Sequence, residues 1–491
     1  MWRLYFLGVG FGIVLLPLVS ALYDYSFTQV LLAMVLFYVC LYPTARYFAH
    51  GEGGVPVLAI LCLSYAVQFA IPIFTAKPEI TLVFGQIKNL EEGDIVAALF
   101  AGILGVLALQ AGYYSLQSGK LAKRIPSIDL HLNEKKAVIY CILVGLLLPT
   151  VVGLRSALSD EQLLQFSAIF TVLQNQQLVV IGILAWLVYS GRGTKWHKLM
   201  LFGVVGLATW RGLSTAFLEQ AVIPITVLFI TKWLYGKRLS VLSVVSIVTI
   251  VLFLSPAKAS FRQVAWSDSA NVEEASGPLG GASLWVEQAA QFWMDTLNGE
   301  RDAAEATSSA TSRMDLIHQF AHIYSYTPEI VPYQYGGTYS YFAVALIPRA
   351  IWPEKPQAGG ANVFYAVAYN ITSEEGAKKS TFGVSLLGEG YINFGLFGVV
   401  SIMALQGAVL ILLQLIFGGP RSGAGGQAVF LAFFVFFLNG VGTSAEIFFG
   451  NILQNLLCSC VLLIWAREKP SVRLAQKMQP AHSAPYVEPV R

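Results

Sequence analysis

Apolar runs of about 20 residues, the length that crosses the hydrocarbon of a bilayer, recur along nearly the whole chain. Inside hydrocarbon every backbone N–H and C=O must be satisfied within the segment, so such runs are expected to be helices. They predict spans at 4–22, 27–48, 55–75, 95–115, 137–154, 167–190, 198–213, 216–235, 240–257, 390–417, 427–444 and 447–466. Only 12% of the 491 residues are charged, about half the share found in soluble domains. The expected fold class is an all-α polytopic membrane protein of about twelve transmembrane helices, with a long, partly helical external loop between the ninth and the tenth. The first run ends in Val19-Ser20-Ala21 like a signal peptide, but its apolar stretch exceeds the about 7–15 residues of that class and reads as an uncleaved helix.

Lys and Arg close to helix ends stay in the cytoplasm, and here every second connection is basic. Lys120, Lys123 and Arg124 mark one such connection, Arg192, Lys195 and Lys198 the next, and Arg467, Lys469 and Arg473 the last. The intervening ones, such as "KNLEEGD" and "SALSDEQ", are poor in basic residues or offset them with acids. Both termini are then cytoplasmic, in a multi-pass protein expected in a bacterial inner membrane. The chain divides into an N-terminal bundle (1–257), a long external loop (258–389), C-terminal membrane helices (390–466) and a cytoplasmic tail (467–491).

Inside the loop, "SLWVEQAAQFWMDTL" places Leu284, Ala289, Phe292 and Trp293 at helical spacing, and "SRMDLIHQFAHIY" does the same for Met314, Ile317, Phe320, Ala321 and Tyr324. Both read as helices at the interface or capping the bundle, the second with Ser312 and Asp315 as its start signal. The net charge of +3 is too mild to argue for nucleic acid. All five cysteines fall in apolar runs, so neither a disulfide framework nor a thiolate metal site is expected. No internal repeat supports an inverted-repeat transporter.

Charges kept at or inside a bilayer are costly and tend to mark sites or pathways. Arg211, in "LATWRGLSTAFLEQ", reads either as a turn residue reaching the external interface, with Glu219 as a nearby partner, or as an anion contact. In "ALIPRAIWPEKP" three prolines stiffen the backbone around Arg349 and Lys355, a fork and a point charge suited to phosphate, or else charges facing headgroups. Glu389 opens a membrane helix in "LLGEGYINFGLFG", where a carboxylate either caps the helix or works as a general base. His318 and His322 stand four apart with Asp315 one turn earlier, a spacing that allows packing, base chemistry or a metal, though no further ligand cluster is near in sequence. There is no P-loop, no G-x-G-x-x-G after a strand and no D-x-D, so chemistry on a metal-held nucleotide sugar loses ground.

The order "TWRGLSTAF", "SRMDLIHQF", "TPEIVPYQYGGTYSYF", "ALIPRAIWPEKP" and "SLLGEGYINFGLFGVV" resembles the oligosaccharide repeat-unit polymerases (O-antigen or Wzy-type), relatives of the O-antigen ligases among GT-C-type membrane glycosyltransferases. The resemblance implies transfer of a growing glycan from undecaprenyl diphosphate to a hydroxyl of the next lipid-linked repeat unit, outside the membrane, in O-antigen, capsule or exopolysaccharide synthesis. It implies no metal and no cofactor, because the diphosphate is a built-in leaving group. Its implied partners are the bilayer, the undecaprenyl-diphosphate-linked oligosaccharide, and a flippase and a chain-length regulator of the same pathway. Arg211 and Arg349 are then the expected diphosphate contacts, with Lys355 and Arg313 behind them, and Glu389, His318 or His322 the expected base. A histidine of the long external loop takes part in the ligases, which favours His318 or His322 by analogy. The competing readings are a flippase or exporter of the same lipid-linked sugar, a ligase-like transferase, and a scaffold subunit of an envelope complex.

Overall fold

The computed structural model describes residues 5, 8–9, 25–50, 55–117, 122, 124–157, 160–214, 218–235, 241–257, 261, 280–299, 315–347, 352, 354, 359–379 and 382–468. The expected first span, 4–22, lies almost wholly outside them. The structure is mostly helical. In chain order the helices are α1 (Phe27–His50), α2 (Val57–Tyr65), α3 (Glu92–Gln117), α4 (Glu134–Ala157), α5 (Asp160–Tyr189), α6 (Lys195–Ser214), α7 (Leu218–Leu234) and α8 (Val241–Leu254). They continue with α9 (Gly280–Leu297), α10 (Leu316–Tyr326), α11 (Ser340–Leu346), α12 (Gly360–Ala368), α13 (Glu374–Lys379), α14 (Leu386–Leu413), α15 (Gly423–Asn439) and α16 (Ala445–Ala466). Seven stretches are long and apolar enough to cross a membrane among the described residues: 27–50, 57–74, 92–117, 170–189, 386–418, 423–442 and 445–466.

One element departs from the all-helical expectation. β1 (Glu79–Thr81) and β2 (Ile87–Asn89) form an antiparallel hairpin between α2 and α3, with Ile80 opposite Lys88. A hairpin this short is not stable alone. It is held because Ile80 is buried, because it packs on α10, and because Val83 N–H donates to the Asn370 carbonyl at 2.8 Å.

The tightest helix pair is α3 against α14. A methyl group on Gly112 would overlap the carbonyl oxygen of Ala404, and one on Gly407 would overlap that of Leu109. Lipid tails are as apolar as side chains, so helices in a bilayer associate through close backbone packing of this kind. α1 lies on α3, and α5 carries α4, α6, α7 and α15 around it.

Connections gather in two groups. Residues 128–133, 416–425 and 466–468 are bound to one another, through Leu130 N–H to the Ser422 carbonyl (3.0 Å), Asn133 N–H to Ala466 (3.0 Å) and Glu468 N–H to His131 (2.8 Å). At the other end of α3, the hairpin, α10, the 327–339 turns, α12 and the 442–446 connection meet. The three connections of the first group are ones read as cytoplasmic from sequence, and the 75–91, 327–339 and 442–446 connections of the second are ones read as external.

α10 is more enclosed than a helix lying at an interface. Ile317, His318, Phe320, Ala321, His322 and Ile323 are all buried, because α3, α14 and β1 surround it. Its start also differs from the expected signal. Asp315 is itself the N-cap and accepts His318 N–H at 3.2 Å, while Ser312 and Met314 lie outside the described residues. α9 keeps the expected face, with Ala289 and Phe292 buried and Leu284 packed beside them, and adds one residue to it. Trp285 is buried as well, because its indole N–H satisfies the Leu254 carbonyl (3.0 Å) at the open end of α8, with its ring stacked on Phe261 at 5.1 Å.

Candidate functional site: a broken membrane helix and a tyrosine cleft

α14 breaks at Phe394 (φ −142°, ψ 22°) and Gly395 (φ 59°, ψ −145°). The second conformation is close to one that only glycine occupies without strain. A break in an apolar helix strands carbonyls that have no water to turn to. Here the 334–339 turn supplies the donors: Gln334 N–H binds the Ile392 carbonyl at 3.0 Å and Tyr335 N–H binds that of Asn393 at 3.1 Å.

The Asn393 side chain completes the joint. Its Oδ1 accepts Gly336 N–H (2.9 Å), and its Nδ2 donates both to Thr338 Oγ1 (2.7 Å) and to the Glu389 carbonyl (2.8 Å). The Thr338 hydroxyl, having accepted from Asn393, donates to Glu389 Oε1 at 2.7 Å. Glu389 Oε2 accepts the N–H of Ala445, the first residue of α16, at 2.6 Å. The carboxylate therefore sits at a helix N-terminus, where the dipole favours negative charge, but the helix is α16 and not its own. The cap of α14 is Ser385, whose hydroxyl accepts Gly388 N–H at 3.0 Å. Beside it Glu446, also buried, accepts Gly359 N–H with both oxygens at 3.1 Å. Glu389, Thr338 and Asn393 are all enclosed.

A cleft of about 570 Å³ opens next to this network, lined by Tyr324, Tyr333, Tyr335, Tyr391 and the 394–397 kink. That volume is within the about 300–1,000 Å³ of small-ligand pockets. Tyr391 anchors the wall, with Tyr324 and Tyr333 packed on it at ring distances of 5.0 and 6.2 Å.

The histidines of α10 are placed apart. His318 Nδ1 meets Asp315 Oδ2 at 2.5 Å and its Nε2 meets the Tyr25 hydroxyl at 2.8 Å, while that hydroxyl donates to the Ala76 carbonyl at 2.9 Å. Both ring nitrogens are thus engaged in a chain that ties α10 to the segment entering α1. His322 Nε2 donates to the Tyr369 carbonyl at 2.9 Å, which leaves Nδ1 as the acceptor nitrogen, buried and without a hydrogen-bond partner. Burial pushes its pKa down to about 4, with the positive Lys88 nearby acting in the same direction and the Tyr369 carbonyl opposing. The two histidines do not converge on one point, and no group of three or more His, Cys, Asp or Glu side chains suited to a metal occurs among the described residues.

Arg211 lies in the last turn of α6, half-buried, on a helix that packs on α5, α7 and α9. Glu389 instead belongs to α14, packed on α3 and α10. Arg313, Arg349 and Lys355, and the side chain of Glu219, lie outside the described residues. The structure adds Thr338, Asn393, Glu446, Tyr333, Tyr335 and Tyr391 to the residues singled out from sequence, and it places Tyr324, read there as part of a helix face, in the cleft wall. A signal for Asn393 was present: it follows Glu389 by four residues, on the same face of an otherwise apolar helix.

Fold and site together define a helical membrane protein whose broken membrane helix is sealed by a polar network beside an open aromatic cleft. Residues 103–470 match the family described as a domain of unknown function, DUF8712, and the chain belongs to that family. No curated protein and no solved structure matches it.

Proposed function

We propose that this chain is a membrane glycosyltransferase that polymerises undecaprenyl-diphosphate-linked oligosaccharide repeat units at the external face of a bacterial inner membrane. In this reading about twelve helices cross the bilayer, and the group of connections around the hairpin and α10 faces outward. The observation that carries it is the union of two resemblance segments, 327–342 and 385–400, in one hydrogen-bonded joint around Glu389, beside a cleft open to a ligand.

The acceptor hydroxyl attacks the anomeric carbon of the donor, and the bond to the diphosphate breaks with its electron pair leaving on oxygen. Arg211 and Arg349, backed by Lys355 and Arg313, neutralise the departing diphosphate, whose oxygens take the hydroxyl proton. Glu389 and His322 are fully enclosed, and His318 is 2% exposed. They act as positioning residues in this scheme: Glu389 fixes the 334–339 turn and the histidines fix α10. Catalysis of this kind is orientation plus electrostatic stabilisation of the leaving charge.

The test is polymer-length analysis with purified protein in lipid nanodiscs and synthetic lipid-linked repeat units, with no partner protein. A ladder of lengths is expected from the wild type, and Arg211→Ala and Arg349→Ala each lower the rate by about 10²-fold or more. Transbilayer movement in proteoliposomes without extension would replace this reading by that of a flippase.

A further inference from the structure

The cleft at the α14 break has a lining that selects among ligands. Its wall carries four phenols, two Phe rings, a Leu and a Gly, with no charged side chain. A diphosphate or phospholipid headgroup finds no countercharge there. A neutral ligand with flat apolar faces and hydroxyls along its edges finds both ring faces and phenolic donors and acceptors.

Tyr335 is the most telling residue. It is 76% exposed, and its φ of 48° is a left-handed conformation that non-glycine residues rarely hold. Strain of this kind persists only where the surroundings over-determine it. The clamp is visible: Tyr335 N–H is held by the Asn393 carbonyl and the next N–H, of Gly336, by the Asn393 side chain. The ring is presented outward on a turn locked from beneath, with Tyr333 at 6.3 Å in an edge-to-face arrangement. Tyrosines that merely anchor a protein in headgroups need neither a strained backbone nor a common cleft.

We propose that this cleft binds the neutral pyranose rings of a saccharide chain, stacked on Tyr335 and hydrogen-bonded by the phenols of Tyr333 and Tyr324. The choice of saccharide rests on the glycan-transferring reading above, whereas binding itself requires no transfer. In that reading the cleft grips the growing glycan while the diphosphate end is held elsewhere.

The experiment uses the full chain in phospholipid nanodiscs free of sugar-headed detergent. Saturation-transfer NMR is recorded with maltoheptaose, chitopentaose, mannopentaose and galactopentaose, each alone and with an excess of inorganic pyrophosphate as competitor. Transfer to ring protons of at least one oligosaccharide is expected, weakened about tenfold by Tyr335→Ala, kept by Tyr335→Trp and undiminished by pyrophosphate, which does not compete for this cleft. Tyr335 is mostly exposed, so its loss leaves the fold intact, which a thermal unfolding curve verifies. Absence of binding by all four oligosaccharides, or equal binding by Tyr335→Ala, overturns the proposal. Tyr335-dependent binding without extension of lipid-linked units keeps the cleft and removes the polymerase; extension without such binding does the reverse.

Discussion

Thr338 stands between Asn393 and Glu389 as a one-way relay of hydrogen bonds: its hydroxyl accepts from the amide at 2.7 Å and donates to the carboxylate at 2.7 Å. With the Ala445 N–H on the other oxygen, both oxygens of this buried carboxyl group are engaged. A network satisfied in this way specifies a single arrangement, and removing one member leaves the others unpaired in a poor solvent for them.

Thr338→Val keeps the shape and deletes both bonds. The expected loss is about 1–3 kcal/mol, read as a lower unfolding midpoint in detergent micelles. Glu389→Gln is expected to fall in the same range, because the new amide presents a donor to either Thr338 or Ala445, each already a donor. Glu389→Ala should be worse than either. Wild-type melting of Glu389→Ala would show that the network contributes nothing.

Gly395→Ala forces a Cβ into a backbone conformation reserved for glycine, within 3.1 Å of the Tyr333 hydroxyl. The expected penalty is about 1–3 kcal/mol, accompanied by loss of saccharide binding because Tyr333 is a wall of the cleft. Measuring both separates strain at the kink from general destabilisation, since Gly112→Ala should lower stability through α3 and α14 without touching that wall.

His322 gives a pH dependence with a defined sign. Its folded pKa, about 4, lies below the ordinary value of 6.5, so between these values the unfolded chain takes up a proton that the folded chain refuses. The contribution to stability is fully present above about pH 6.5 and is lost as pH falls toward about 4, by on the order of 2–3 kcal/mol. His322→Gln, whose amide can still donate to the Tyr369 carbonyl, should flatten the melting-temperature profile across that window. An unchanged slope would count against the buried neutral imidazole.

Tyr25→Phe removes the hydroxyl between His318 and Ala76. A drop of about 1–3 kcal/mol in stability is expected, with a similar drop for His318→Ala. If His318→Ala instead melts like the wild type while glycan extension stops, the histidine acts on substrate and not on the fold.

The helical plan could be read from sequence because hydrocarbon imposes a local demand, and stretches such as 92–117 and 445–466 answer it within their own residues. The start of α10 was legible to within a turn, with Asp315 marking it as the cap and not as the acid of a Ser312 box. The joint was not, because its bonds span 51 residues from Thr338 to Glu389 and 56 from Glu389 to Ala445. No local pattern records which distant N–H a carboxylate will meet. The Asp315–His318 pair is local, yet its use depends on Tyr25, 293 residues from His318. Tyr333 and Tyr335 of "YQYGGTYSYF" stand out in composition, but the cleft they share with Tyr324 and Tyr391 follows from the break at Gly395, which a single glycine in an apolar run does not announce.

The backbone contact of α3 with α14 at Gly112 and Gly407 carries a mechanical consequence. Two helices that meet at the main chain share one continuous contact, which any rocking or sliding of one past the other would have to break. Any rearrangement of the bundle therefore carries α3 and α14 together as one unit.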